Sequence, residues 1–156
     1  MKSKVLLCCW LALMALSWAE TLYQNPRYGF ELEVPKGFRA QEAPANEDGR
    51  TFSDGTSELL AWGSNNVLSQ TFEQAYREAV AAAREEGPIG YQASGKSWFV
   101  VSWVSGQSII YQKTFHGAGC SQSFRLSYPL ARKSELDPVV KRLEASFKPG
   151  DLSRAH

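Results

Sequence analysis

The 156-residue sequence has little excess charge of either sign, because 17 lysine and arginine residues nearly balance 16 aspartate and glutamate residues. Basic residues also never occur more than two in a row. Proteins that bind nucleic acids or anionic membrane surfaces carry concentrated positive charge. The composition therefore argues against both classes and predicts no nucleic-acid partner.

Residues with catalytic or metal-binding side chains are scarce, with three cysteines and two histidines in the chain. Cys8 and Cys9 lie in an apolar N-terminal stretch that we expect to be removed as part of a signal peptide. Cys120 then has no partner for an internal disulfide. A structural zinc site needs about four nitrogen or sulfur ligands. Neither the Gly-x-Ser-x-Gly motif of serine hydrolases nor the Gly-x-Gly-x-x-Gly motif of dinucleotide-binding folds occurs. We therefore expect no metal, no nucleotide-binding motif, no other cofactor and no enzymatic activity.

The N-terminus has the three parts of a secretory signal peptide. Two lysines precede an apolar stretch (5–16), and Ser17 and Ala19 are small residues at positions −3 and −1 of a cleavage site after Ala19. The apolar stretch up to Ala19 has only 15 residues. A retained membrane anchor is disfavoured, because a spanning helix needs roughly 20 residues. We expect residues 1–19 to be removed and the mature chain to be exported, with the periplasm as its expected location.

The rest of the chain has the length of one domain, for which we take residues 20–150. No later apolar run is long enough to span a membrane. The last six residues, 151–156, are mostly polar and follow Pro149 and Gly150. We expect this tail to be frayed.

Strand patterns dominate this domain. Phe30, Leu32 and Val34 alternate with glutamates, as in a strand with one buried face. Asp54-Gly55 favours a tight hairpin. The other predicted strands are 51–53, 57–63, 98–104, 108–115 and 120–128. Because the links between the last three are short, we expect antiparallel neighbours.

Two helices are predicted among the strands. The first has Thr71 as its N-cap, ends at Gly87 and places Phe72, Ala75, Tyr76, Ala79 and Ala83 on one face. The second begins with Asp137 as its cap and Pro138 at its first position, and its apolar face comprises Val139, Leu143 and Phe147. Strands in runs with a central and a terminal helix predict an α+β fold, a mainly antiparallel sheet flanked by helices.

Two stretches suggest a family. The strand Tyr28-Gly29-Phe30 that ends at Pro35, and the helix start Asp137-Pro138-Val139-Val140, resemble exported bacterial proteins of the PsbP/Mog-like fold, a group that includes the DcrB-like proteins. The likeness extends over 22–147. It implies an α/β/α sandwich that serves mostly to bind other proteins: PsbP stabilises a membrane complex, and Mog-type proteins bind a small GTPase. No catalytic or binding residue of those proteins can be assigned to this sequence.

The stretch HGAGCSQS (116–123) contains the closest approach in sequence of a histidine and a cysteine. A thiol nucleophile needs a base within hydrogen-bonding distance and a third group that orients the base. No third group is recognisable near His116 and Cys120, and alternation places Cys120 on the same face as Phe124 and Leu126. We therefore favour a glycine-rich turn between two strands over a catalytic pair.

The polar loop GSNNVLSQT (63–71) is the remaining candidate site, since it joins a strand to the first helix. We predict that Ser64, Asn65 and Asn66 contact a partner, although asparagines in such loops usually bond to the turn backbone. The main hypothesis is an exported, non-enzymatic binding or assembly protein of the bacterial envelope with an envelope protein as its partner. The alternatives are a small envelope hydrolase or thiol-dependent enzyme using Cys120 and His116, and a carrier with a ligand cavity between sheet and helix.

Overall fold

A computed structural model describes residues 21–156, so the predicted signal peptide, residues 1–19, lies outside the described residues. Within this range the elements are β1 (Thr21–Gln24), β2 (Glu31–Val34), β3 (Arg39–Ala40), β4 (Gly49–Ser53), β5 (Glu58–Asn65), α1 (Phe72–Glu86), β6 (Ile89–Ser94), β7 (Trp98–Ser105), β8 (Ser108–His116), β9 (Cys120–Pro129) and α2 (Lys133–Ser146). A 3₁₀ turn, Leu130–Arg132, leads into α2.

The strands form one large antiparallel sheet of order β3-β4-β5-β9-β8-β7-β6 and a separate β1–β2 pair. Side chains of β7 alternate between the two faces of this sheet: Val100 joins the core under α2, whereas Phe99 and Val101 join the core under α1. The two helices therefore cover opposite faces, and the β1–β2 pair lies on the same side as α2. The predicted α+β architecture and the antiparallel order of β7, β8 and β9 are confirmed.

Aromatic rings fill the space between α2 and the sheet. Phe147 lies at the centre, with its ring centroid 5.9 Å from Phe30, 5.4 Å from Phe115 and 5.2 Å from Phe124. Such offset and edge-to-face pairs are favourable contacts in a close-packed interior. These contacts place Phe147 in the packed core between α2 and the sheet.

The first helix agrees with the sequence prediction at both ends. Thr71 and Gln74 form a capping box, and the N–H of Gly87 donates to the carbonyl of Ala83 at the last turn. The predicted apolar face packs on the second core, where the ring of Tyr76 stacks on Phe99 at 5.1 Å. Tertiary packing and local capping thus favour the same helix.

The prediction for the start of the second helix is wrong. α2 begins at Lys133, so Pro138 lies inside the helix and Asp137 pairs with Lys133 (2.7 Å). The buried residues within α2 are Leu136, Val140 and Leu143. Of the predicted apolar face, Leu143 is confirmed, Phe147 is buried directly after the helix, and Val139 is partly buried against the core. Proline near a helix start removes only one backbone hydrogen bond, and the extra turn buries Leu136 to 2% exposure.

The prediction that the tail 151–156 is frayed is also wrong. Leu152 packs on the main core, and its carbonyl accepts the N–H of Gly119 (2.9 Å). The backbone oxygen of His156 accepts hydrogen bonds from Arg27 Nη2 (2.7 Å) and Asn65 Nδ2 (2.8 Å), and its ring lies over Tyr28. The tail is ordered because distant residues satisfy its backbone groups, and local composition does not reveal those partners.

Candidate protein-interaction site

The connection between β5 and α1, residues 66–71, is a closed loop built around the side chain of Asn66. Asn66 Nδ2 donates to the carbonyls of Gln70 (3.0 Å) and Gly117 (3.2 Å), and Oδ1 accepts the N–H of Gln70 (2.9 Å). The N–H of Asn66 donates to the carbonyl of Gly119 (2.9 Å). Ser69 completes the reversal with a positive φ of 50°. These bonds join the loop to the turn between β8 and β9.

Asn65 holds the other side of the loop. Its side chain exchanges two hydrogen bonds with His156: Nδ2 donates to the backbone oxygen (2.8 Å), and Oδ1 accepts the backbone N–H (2.9 Å). Of the three residues predicted to contact a partner, Asn65 and Asn66 therefore direct their amides toward the protein, whereas Ser64 is exposed. A contact between Ser64 and a partner stays a prediction.

The exposed tip of the loop consists of two aliphatic residues that sequence reasoning missed. Val67 is 82% exposed and Leu68 is 79% exposed, the two largest values among the exposed large hydrophobic residues of the described chain. Two adjacent aliphatic residues in an otherwise polar loop, outside any helical or strand periodicity, were the available sign in the sequence. The loop thus presents an apolar tip on a hydrogen-bonded base.

His116 supports this loop from the sheet. Its ring is nearly buried, at 6% exposure. Nε2 lies 2.9 Å from the carbonyl oxygen of Gln70 and must donate to it, because a carbonyl can only accept. Nδ1 forms a hydrogen bond with the hydroxyl group of Ser121, with 2.7 Å between Nδ1 and Oγ. Both ring nitrogens are therefore used to tie the end of the loop to β9.

The structure does not bring His116 and Cys120 together. The register pairs His116 with Ser121, and adjacent residues of a strand point to opposite faces, so Cys120 faces the α2 core. Cys120 is fully buried, with Sγ against the carbonyl of Asp151 (3.5 Å) and the amide of Gln122 (3.6 Å). Burial raises the pKa of the Cys120 thiol, which disfavours the reactive thiolate. The thiol-enzyme hypothesis is wrong on geometry, and the glycine-rich turn is confirmed.

The stretch Gly90–Ser97, GYQASGKS, matches the Gly-x-x-x-x-Gly-Lys-Ser pattern of phosphate-binding loops. The prediction that the chain has no nucleotide-binding motif overlooked this match. A phosphate loop requires a strand before it and a helix after it. Here the same residues form strand β6 and a tight turn into β7, so no helix N-terminus is available. Within residues 21–156, no group of three or more His, Cys, Asp or Glu side chains could hold a metal ion, and no helix is long and apolar enough to cross a membrane.

Comparison with known proteins identifies the fold. No family model matches the chain, and no curated protein is significantly similar to it in sequence. The solution structure of cyanobacterial PsbP (CyanoP) from Synechocystis sp. PCC 6803 is similar with a TM-score of 0.63, over 86% of this chain and 95% of that chain. The fold is PsbP-like. The similarity to PsbP confirms the predicted resemblance in fold. At 15% sequence identity it gives no information on the activity of this chain.

Proposed function

We propose that this chain is an exported, non-enzymatic binding or assembly protein of the bacterial cell envelope, which holds a protein partner at the tip of the loop 66–71. The observation that carries the proposal is the exposure of Val67 and Leu68 on a loop whose base is fixed by Asn65, Asn66 and His116. The signal-peptide pattern supports export, and the PsbP-like fold supports a binding role by analogy.

The energetic argument for a protein partner rests on apolar burial at low ordering cost. Burying one Val or Leu side chain contributes about 1.5–3 kcal/mol, so the pair contributes about 3–6 kcal/mol, or roughly two to four powers of ten in affinity. The hydrogen bonds of Asn66 already order the loop. Because preorganisation lowers the entropy lost on binding, most of this apolar contribution remains available to the complex.

In-cell photo-crosslinking tests the proposal. The chain is produced with its own signal in its native cell, with a photoreactive residue at position 67 or, as a control, at Arg39 on the distant edge strand β3. We expect one recurrent envelope protein to be captured from position 67 and not from position 39.

The matched variants are the double change Val67→Ser, Leu68→Ser and the control Leu130→Ser, which alters an exposed leucine elsewhere (39% exposure). For these variants the photoreactive residue is moved to the exposed Ser64. Capture should disappear in the double variant and persist in the control. No recurrent partner, or equal capture from both positions, would overturn the proposal.

A further inference from the structure

Strand β6 forms one edge of the seven-stranded sheet, with a register irregularity between Ile89 and Tyr91 and regular pairing from Tyr91 to Ser94. Its segment 91–94, Tyr-Gln-Ala-Ser, has no charge and no proline, and Tyr91, Gln92 and Ser94 are exposed. The N–H of Gly95 donates to the carbonyl of Trp98 (2.8 Å), so Gly95 and Trp98 form a hydrogen-bonded pair at the end of the β6–β7 hairpin. By the alternation of antiparallel pairing, the backbone groups of Gln92 and Ser94 point away from β7.

A groove runs along each face of this edge. On the α1 side, a groove of about 500 Å³ is lined by Gln92 and Ser94 and by the α1 residues Phe72, Glu73, Tyr76, Arg77, Val80, Ala81 and Arg84. On the α2 side, a groove of about 450 Å³ is lined by Tyr91, Tyr111 and Tyr128 together with side chains of α2. An added strand directs alternate side chains to opposite faces, so its side chains would enter the two grooves in turn.

The charges of the two grooves differ. Arg77 and Arg84 line the α1 groove with Glu73 as the one acidic lining residue, and neither arginine makes an ion pair within residues 21–156. In the α2 groove, Asp137 is paired with Lys133 (2.7 Å) and Glu144 with Lys113 (3.7 Å), and Lys141 also lines it. Tyr91 is the exposed ring of this groove, at 54% exposure, and the buried Tyr111 and Tyr128 form its floor. The α1 groove therefore suits acidic side chains, and the α2 groove suits aliphatic or aromatic ones.

We propose that β6 accepts an extended segment of a partner protein as an additional strand, with acidic side chains toward Arg77 and Arg84 and apolar side chains toward the tyrosines. In such strand addition, main-chain hydrogen bonds provide affinity and the alternate side chains provide specificity. This inference rests on the proposed function that the chain binds a protein, and it names the form and charge of the bound segment. Its test involves neither Val67 nor Leu68.

The probe is a capped synthetic octapeptide of alternating glutamate and valine, and the control peptide has lysine in place of glutamate. Binding to the mature protein is measured by calorimetry, and amide hydrogen exchange is followed by NMR. The acidic peptide should bind and slow exchange at Gln92 and Ser94, while the lysine peptide should bind at least about tenfold more weakly. The acidic peptide N-methylated at alternate residues should not bind, because it cannot form the ladder.

Variants separate the edge from the grooves. Gln92→Pro removes the outward N–H and leaves the β6–β7 bonds intact, so it should weaken peptide binding about tenfold or more, whereas Gln92→Thr should not. The double charge reversal Arg77→Glu, Arg84→Glu should weaken the acidic peptide similarly, and Arg39→Glu at the opposite edge should have no effect.

Three outcomes would overturn the inference: no binding of the acidic peptide, equal binding of the lysine peptide, or a dimer of this chain that is lost in Gln92→Pro. The last outcome would mean that the edge of β6 binds a second copy of this chain. Peptide failure together with a partner captured from position 67 would refute strand addition alone. Peptide binding without that capture would refute the loop tip as the binding surface.

Discussion

Asn66→Ala is the most informative single change, because one side chain closes the loop that presents Val67 and Leu68. The substitution removes three hydrogen bonds, two donated by Nδ2 and one accepted by Oδ1. Each bond has a backbone group as its other partner, so the change leaves two carbonyls and one N–H to be solvated by water. The loop then loses its connection through the side chain to the turn at Gly117.

The size of the effect follows from these bonds. A hydrogen bond contributes about 0.5–1.5 kcal/mol net, so three bonds set an upper figure of about 4.5 kcal/mol. The site is partly buried, and water can replace some of the lost bonds. We therefore expect the free energy of unfolding to fall by about 2 kcal/mol. Asn66→Asp should cost at least as much, because its carboxylate would face the carbonyl oxygens of Gln70 and Gly117.

Urea unfolding at neutral pH, followed by tryptophan fluorescence, measures this loss, and Ser64→Ala is the control. Ser64 is exposed and should change the free energy of unfolding by less than about 0.5 kcal/mol. Hydrogen exchange should show faster exchange at Gln70 in Asn66→Ala. If Asn66→Ala is as stable as Ser64→Ala, the loop is not held by this side chain and the argument for a preorganised tip fails.

Three further predictions concern the core. Cys120 should react with a neutral thiol reagent only after unfolding, since it is fully buried and burial raises its pKa; rapid reaction of the native protein would contradict this. Burial raises the pKa of Tyr128 from 10.0 to about 12. The contribution of the neutral Tyr128 to the free energy of unfolding is therefore intact below pH 10.0 and is lost as the pH rises through about 12. Urea unfolding of Tyr128→Phe and the parent over that range should show a smaller alkaline loss in the variant, and parallel losses would count against the shift. Gly63→Ala places a methyl group against the buried ring of Tyr28, and a melting curve should show a loss of about 1–3 kcal/mol, whereas an unchanged curve would contradict the packing.

The elements with strong periodicity were predictable from local sequence. Thr71 and Gly87 bound α1 as expected, and the hairpin around Asp54-Gly55 forms as expected. The short strands β1 and β3 and the edge strand β6 were not predicted. β6 places Gly90, Gln92 and Ser94 among few apolar residues, so hydrophobic alternation is weak on an edge that buries little.

The candidate site was located only in part. Sequence reasoning selected the loop 63–71 because it joins a strand to a helix, and the structure shows that its two asparagines are used to build the loop. The partners of those amides are Gly117 and His156, which are 51 and 91 positions away along the chain. Which side chains of the loop remain exposed depends on those distant partners, so composition pointed to the asparagines and missed Val67 and Leu68.

By itself, the sequence determined what depends on near neighbours along the chain: the period of the main strands, the caps of α1, the sharp turns and the balance of charge. Only the tertiary structure decided what depends on register and on long-range partners. The pairing of His116 with Ser121 sends Cys120 to the other face of the sheet, and the order of strands leaves β6 at an edge. The physical reason is that the faces and edges of a sheet are properties of strand pairing, and one residue of register exchanges the two faces.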